Sequence, residues 1–97
     1  MKKISQDAAL AFMQGKNFKR ANTEVYISLN NRIVLSLFGN PIAFRELGSN
    51  SISIRSAGWS TVTTKDRLNA LPGVNIKQKN YQWYLNGGYW NGELQMI

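Results

Sequence analysis

The sequence predicts an α+β domain: an antiparallel β-meander with two short helices, in the order α-β-β-β-β-α-β-β. Three observations carry this. Between Thr23 and Ser56, four segments alternate apolar and polar residues with the period of a strand. Near Ser5 and again near Thr63, apolar residues recur three and four apart, the spacing of one helix face. The connections are short and built from Asn, Gly, Ser and Pro, with no linker, repeat or low-complexity tract. Residues 1–97 therefore read as one compact domain, with 43% apolar content to build its core.

The first helix is expected to start at Ser5 as N-cap, with Ile4 as a hydrophobic staple and Asp7 near the positive end. Ala9, Phe12 and Met13 share a face, and Gly15 supplies the stop. At about nine residues it must dock to be stable. In TEVYISL, Val25, Ile27 and Leu29 share a face; in RIVLSLFGN, Ile33, Leu35 and Leu37 do. A three-residue loop, Asn30-Asn31-Arg32, pairs Leu29 with Ile33, Ile27 with Leu35 and Val25 with Leu37. Gly39-Asn40 reads as a two-residue turn that sets Leu37 opposite Ile42 and Leu35 opposite Phe44. SISIRS adds Ile52 and Ile54 to the same apolar face. Val34 and Phe38 make the opposite face partly apolar as well, which hints at a protein contact or an unplaced C-terminal strand.

The second helix is expected to be capped by Thr63, with Asp66 three residues on, and to bury Leu68 and Leu71 before Pro72-Gly73 ends it. VNIKQK, the turn Asn80-Tyr81 and QWYLN form a hairpin. Its two-residue turn pairs Ile76 with Leu85, Gln78 with Trp83, Lys77 with Tyr84 and Lys79 with Gln82. The closing GGYWNGELQMI has room for a short edge strand.

Twelve Lys and Arg against five Asp and Glu give a net charge of +7. The excess is even, with seven basic and three acidic groups in residues 1–50, and five and two in residues 51–97. The folded body itself is cationic, so its expected partner is a polyanion: nucleic acid, a ribonucleoprotein or an acidic protein face. There is no cysteine, which excludes disulfides and thiolate metal sites and fits a reducing compartment. The N-terminus lacks an apolar stretch that would make it a signal peptide, and no segment suits a membrane span. A cytoplasmic protein is the expectation.

With neither His nor Cys, the commonest general base, the usual nucleophile pairs and nitrogen or sulfur metal ligands are missing. Asp7 and Asp66 are accounted for near helix starts, and Glu24 and Glu46 at strand ends. Pairing Asp66 with Glu93 in a pocket would be needed for carboxylate catalysis, and nothing in the spacing singles that pair out. No glycine pattern matches a nucleotide loop. The expectation is a protein without enzymatic activity, cofactor or metal.

The remaining constellation is the polar face of the hairpin. Lys77 and Lys79 can neutralise phosphates and Tyr84 can stack on an unpaired base; any exposed strand face also carries such residues. Trp83 is expected in the core and Trp90, between glycines, outside it. The candidate binding residues are Lys77, Lys79, Tyr84 and Trp90, with Arg55 after the SISI strand.

The segments GNPIA, AGW-T-TTKDRLNALPGV-I-QK and WYLNG--W-G resemble a group of small accessory proteins carried by tailed phages of bacteria. The resemblance runs from AFMQGKNFKRANTEV to Gly92 and departs at Gly88-Tyr89, where charged residues are the pattern. It implies a small phage protein acting in the host cytoplasm, with anti-CRISPR proteins as the comparison: non-enzymatic inhibitors that bind a CRISPR effector ribonucleoprotein stoichiometrically. It brings no catalytic residues. A +7 body cannot imitate DNA, so such an inhibitor would contact guide RNA, the nucleic-acid path or an acidic protein surface. A nucleic-acid-binding accessory protein without inhibitory action is the alternative.

Overall fold

The computed structural model describes all 97 residues. Helix α1 (Lys3–Gln14) leads into strands β1 (Phe18–Arg20), β2 (Thr23–Ile27), β3 (Arg32–Leu37), β4 (Asn40–Glu46) and β5 (Ile52–Ile54). Helix α2 (Val62–Asn69) is followed by β6 (Ile76–Lys79), β7 (Gln82–Leu85), β8 (Gly88–Tyr89) and β9 (Gln95–Met96). The α+β class, the meander and the two helices are those the sequence predicts; β1, β8 and β9 are short additions. The strands form two antiparallel sheets, one of order β1-β2-β3-β4-β5-β9 and one of order β6-β7-β8. The C-terminal segment thus serves both, β8 extending the hairpin and β9 closing the larger sheet against β5.

Helix α1 begins earlier than its composition suggests. Lys2 is the N-cap and makes no side-chain cap bond, while Ser5, expected to cap, is buried inside the helix. Its hydroxyl is committed to Asp66 and Arg67 of α2, a tertiary partnership that outcompetes capping. Gly15 ends the helix in the left-handed conformation, as expected, at φ 68°. The buried guanidinium of Arg45 finishes the cap, donating to the carbonyls of Phe12 and Met13 at 2.9 Å each. A cation there also suits the negative end of the helix dipole.

The β2–β3 register differs from the expected one by two residues: Val25 pairs with Leu35, Ile27 with Ile33 and Thr23 with Leu37. A slip of two keeps every side chain on its face, so the apolar pattern cannot distinguish the two registers. The loop decides. Asn31 takes a left-handed φ of 62°, and the Ser28 N–H donates to the Arg32 carbonyl at 2.8 Å. The result leaves Leu29 fully exposed at the tip and buries Thr23 instead.

The β3–β4 turn is Phe38-Gly39, not Gly39-Asn40, with φ of 52° and 79°. Two left-handed residues match the twist of a hairpin, but a bulky residue there costs about 1–3 kcal/mol. A bulge follows, with the register shifting between Leu35 and Ser36. Leu35 consequently faces Ala43, and Phe44, expected in the core, pairs with Val34 on the opposite face.

Thr61 rather than Thr63 caps α2, accepting from the Thr64 N–H at 3.2 Å. Asp66 is therefore free of a capping role. Leu68 and Leu71 are buried as expected. The hairpin register is the predicted one throughout, Ile76 to Leu85 and Lys77 to Tyr84, across a turn whose two residues, Asn80 and Tyr81, both have positive φ.

Both helices pack on one face of the larger sheet, where Phe12 and Leu68 meet Val25, Ile33, Leu35 and Ile54. Ile76, Trp83 and Trp90 bring the small sheet into the same cluster. Burying each such large side chain is worth roughly 1.5–3 kcal/mol. Gly92 is the tightest joint between the sheets. Its carbonyl accepts from the Ser56 N–H at 2.9 Å, and a Cβ at Gly92 would collide with the Ser56 hydroxyl.

Candidate nucleic-acid interface

The hairpin brings three of the sequence-predicted residues together. Lys77 and Lys79 are exposed on its outer face, and neither takes part in an ion pair. Tyr84 lies opposite Lys77 and is half-buried. Strand β8 adds Tyr89, which meets Tyr84 edge to face at 6.3 Å. Tyr81 stands almost fully exposed at the tip.

Trp90 corrects the sequence reading: it is a core residue, 6% exposed. Its indole stacks on Trp83 at 6.1 Å and donates to the Glu93 carbonyl at 2.9 Å. The glycines around it let the chain turn the ring inward rather than leave it in solvent. Trp59 is instead the exposed tryptophan.

Arg55 belongs to a different surface, the face of the larger sheet that no helix covers. Register places Tyr26, Val34, Phe44, Ser53 and Met96 in one row across β2, β3, β4, β5 and β9. Arg32 and Arg55 flank the row, their guanidinium carbons 5.5 and 5.9 Å from the centre of the Phe44 ring. Arg55 is fixed by a 2.8 Å hydrogen bond from Nε to the Pro41 carbonyl. Arg32 donates to Glu46 at 3.0 Å; both side chains are exposed, so that pair holds them only weakly. Between Arg32, Phe44, Arg55 and Met96 the face dips into a hollow of about 310 Å³. Sequence reasoning missed Phe44 and Arg32 because the bulge turned Phe44 over. The available signal was the partly apolar second face of RIVLSLF.

The carboxylates are distributed along the molecule. Asp7 bonds Arg20 at 2.9 Å and Lys3 at 3.4 Å; the Arg20 hydrogen bond above all holds its pKa below the usual carboxylate range. Asp66 lies in the α1–α2 seam. Partial burial works against its ionisation, but the Ser5 hydroxyl, the Lys2 N–H, the N-terminal charge and Arg67 together lower its pKa. Glu46 lines the hollow beside Phe44 and Glu24 a shallow one beside Tyr26, each without a second carboxylate. No three of the chain's acidic groups lie where they could hold a metal ion, and no helix is long and apolar enough to cross a membrane.

Fold and surface define a small, strongly basic α+β protein with two exposed faces that mix aromatic rings with cations. The model of the family described as Kyanoviridae Gp96 protein matches residues 1–95, and the chain belongs to that phage family. No curated protein and no solved structure matches it.

Proposed function

We propose that this phage protein works by stoichiometric binding rather than turnover, and that it binds an unpaired nucleic-acid strand on the open face of its larger sheet. The observation that carries this reading is Phe44 with two guanidinium groups 5.5 and 5.9 Å from its ring centre, on a face no helix covers. Aromatic rings on an open sheet supply stacking surfaces for bases; Arg55 supplies charge for a phosphate, and the guanidinium planes add further stacking. Lys77, Lys79 and Tyr84 on the hairpin offer a second basic surface along which a longer strand could be followed.

Fluorescence anisotropy with a labelled single strand of roughly ten nucleotides, across a salt series, tests it. Affinity should fall steeply with salt. Phe44→Ala should weaken binding about tenfold, the scale of one stacked base, and Phe44→Leu, which keeps the apolar packing, should weaken it similarly. Lys77→Ala with Lys79→Ala should lower the salt slope by up to about two. Absence of binding at low salt, or wild-type affinity in both Phe44 variants, would reject the open face as the contact.

The narrower reading is an inhibitor of a bacterial defence system, an anti-CRISPR protein whose strand is the guide or target nucleic acid of an effector complex. Membership of a phage family and the cationic body support it. Plaque counts on CRISPR-immune cells expressing the protein decide it: restored infection is the expected result, and unchanged immunity across effector types sinks it.

A further inference from the structure

Beyond the open face, between the β3–β4 turn and the segment entering α2, the surface forms a groove of about 520 Å³. That size lies within the range of small-ligand sites. Its rim carries two rings, Phe38 and Trp59, which are 73% and 59% exposed and stack on no other ring. Leu37 and Ile42 line it below, with Asn40 and Thr63 as hydrogen-bonding groups.

No lining residue is ionisable, in a chain of net charge +7. A phosphate or carboxylate would find no countercharge here, and desolvating one without a partner is costly. A flat, uncharged ring with hydrogen-bonding edges finds two aromatic walls, an amide and hydroxyls. The backbone adds a second argument: Phe38 holds a left-handed φ of 52° while its ring stands in solvent. Neither burial nor turn chemistry explains a phenylalanine there, where Asn or Gly would be relaxed.

Arg55 ties the open face to the strands that bear the groove. The Arg55 Nε–H donates to the Pro41 carbonyl, and Pro41 lies between the groove residues Asn40 and Ile42. Ser56, the next residue after Arg55, lines the groove as well. Arg55 and Ser56 point to alternate faces of the sheet, so a strand with a phosphate at Arg55 beside Phe44 would reach the groove around the end of β5.

We infer that the groove is a base pocket: it takes one unpaired nucleobase of the strand bound on the open face, held between Phe38 and Trp59. This rests on the strand-binding reading and adds a second base position to it.

Trp83 and Trp90 are buried, so emission from an exposed indole belongs to Trp59. Titration of the full chain with a short unpaired oligonucleotide should quench that emission and protect it from iodide, with no such change in Trp59→Phe. Inorganic polyphosphate, a backbone without bases, should leave it unchanged. Phe38→Ala and Trp59→Ala should each weaken oligonucleotide binding about tenfold, the scale of one lost stacking contact. Circular dichroism of both variants should match the parent, because both rings are exposed.

If the oligonucleotide binds in a Phe44-dependent way while Trp59 emission and both groove variants stay at parent values, the base pocket is overturned and the open-face reading stands. If no oligonucleotide binds, both fall. Trp59 emission that responds to a host protein and not to the oligonucleotide assigns the groove to a polypeptide, which also overturns the proposal.

Discussion

The seam between α1 and α2 and the open face of the larger sheet both centre on arginine, and they use it in opposite ways. In the seam, Arg67 is 4% exposed. It donates to the hydroxyls of Thr23 and Ser5 at 2.8 Å each, to Asn22 at 3.4 Å and to Asp66 at 3.5 Å. Its charge is consumed in joining two helices to the sheet, and Arg45 is likewise spent on the end of α1. On the open face Arg55 makes one hydrogen bond and keeps its charge toward solvent. Net charge therefore overstates the binding charge of this small basic protein. Lys3, Arg20 and Arg32 are paired with carboxylates, and Lys2, Lys16, Lys19, Arg55, Lys65, Lys77 and Lys79 are the cations left for a partner.

The contrast is broken most directly at Arg67. Arg67→Ala should destabilise the fold by about 2–4 kcal/mol, since it strands Ser5, Thr23 and Asp66 without their shared partner. Urea unfolding with an unchanged slope measures it, and a loss under about 1 kcal/mol would mean the seam is not held by this network. Ser5→Ala should cost less, about 1–2 kcal/mol, because Arg67 keeps its other acceptors.

Acid offers a probe without mutation. The Asp66 pKa is lowered on folding, so the seam contributes its stability above the unfolded value near 4 and loses it as pH falls through the native value. Unfolding free energy should therefore decline below about pH 4. Asp7 titrates in the same direction through Arg20, so Asp66→Asn should flatten part of the decline and Asp7→Asn the remainder. An unaltered profile in Asp66→Asn would remove the seam from acid unfolding.

The smallest stability effect is expected at Arg55. Arg55→Ala gives up one partly buried hydrogen bond and should cost less than about 1 kcal/mol. The same variant should weaken strand binding several-fold, as loss of one phosphate contact does. A large stability loss without a binding loss would place Arg55 with Arg67 as a structural residue.

Much of this organisation was legible before the structure. The β6–β7 register follows from a two-residue turn, because a fixed loop length leaves one pairing that keeps Ile76 and Trp83 on the core side. The β2–β3 register did not follow, because Leu29 can be core or loop tip with every face unchanged. Lys77, Lys79 and Tyr84 could be grouped from alternation alone, whereas Phe44 could not be joined to Arg55 before the bulge was seen. Trp90 and Ser5 misled for one reason: each has a local role its flanks suggest, and each is claimed instead by a partner far along the chain or across a turn.

By itself, the sequence determined the α+β class, the two helices, the hairpin and the cationic balance. These rest on periodicity, turn chemistry and composition, which act over a few residues. Tertiary structure alone decided which side of the sheet Phe44 occupies, which arginines are buried and which tryptophan meets solvent. Those outcomes depend on burying one common core around groups as distant in sequence as Ser5, Arg67 and Trp90, and local pattern carries no record of such partners.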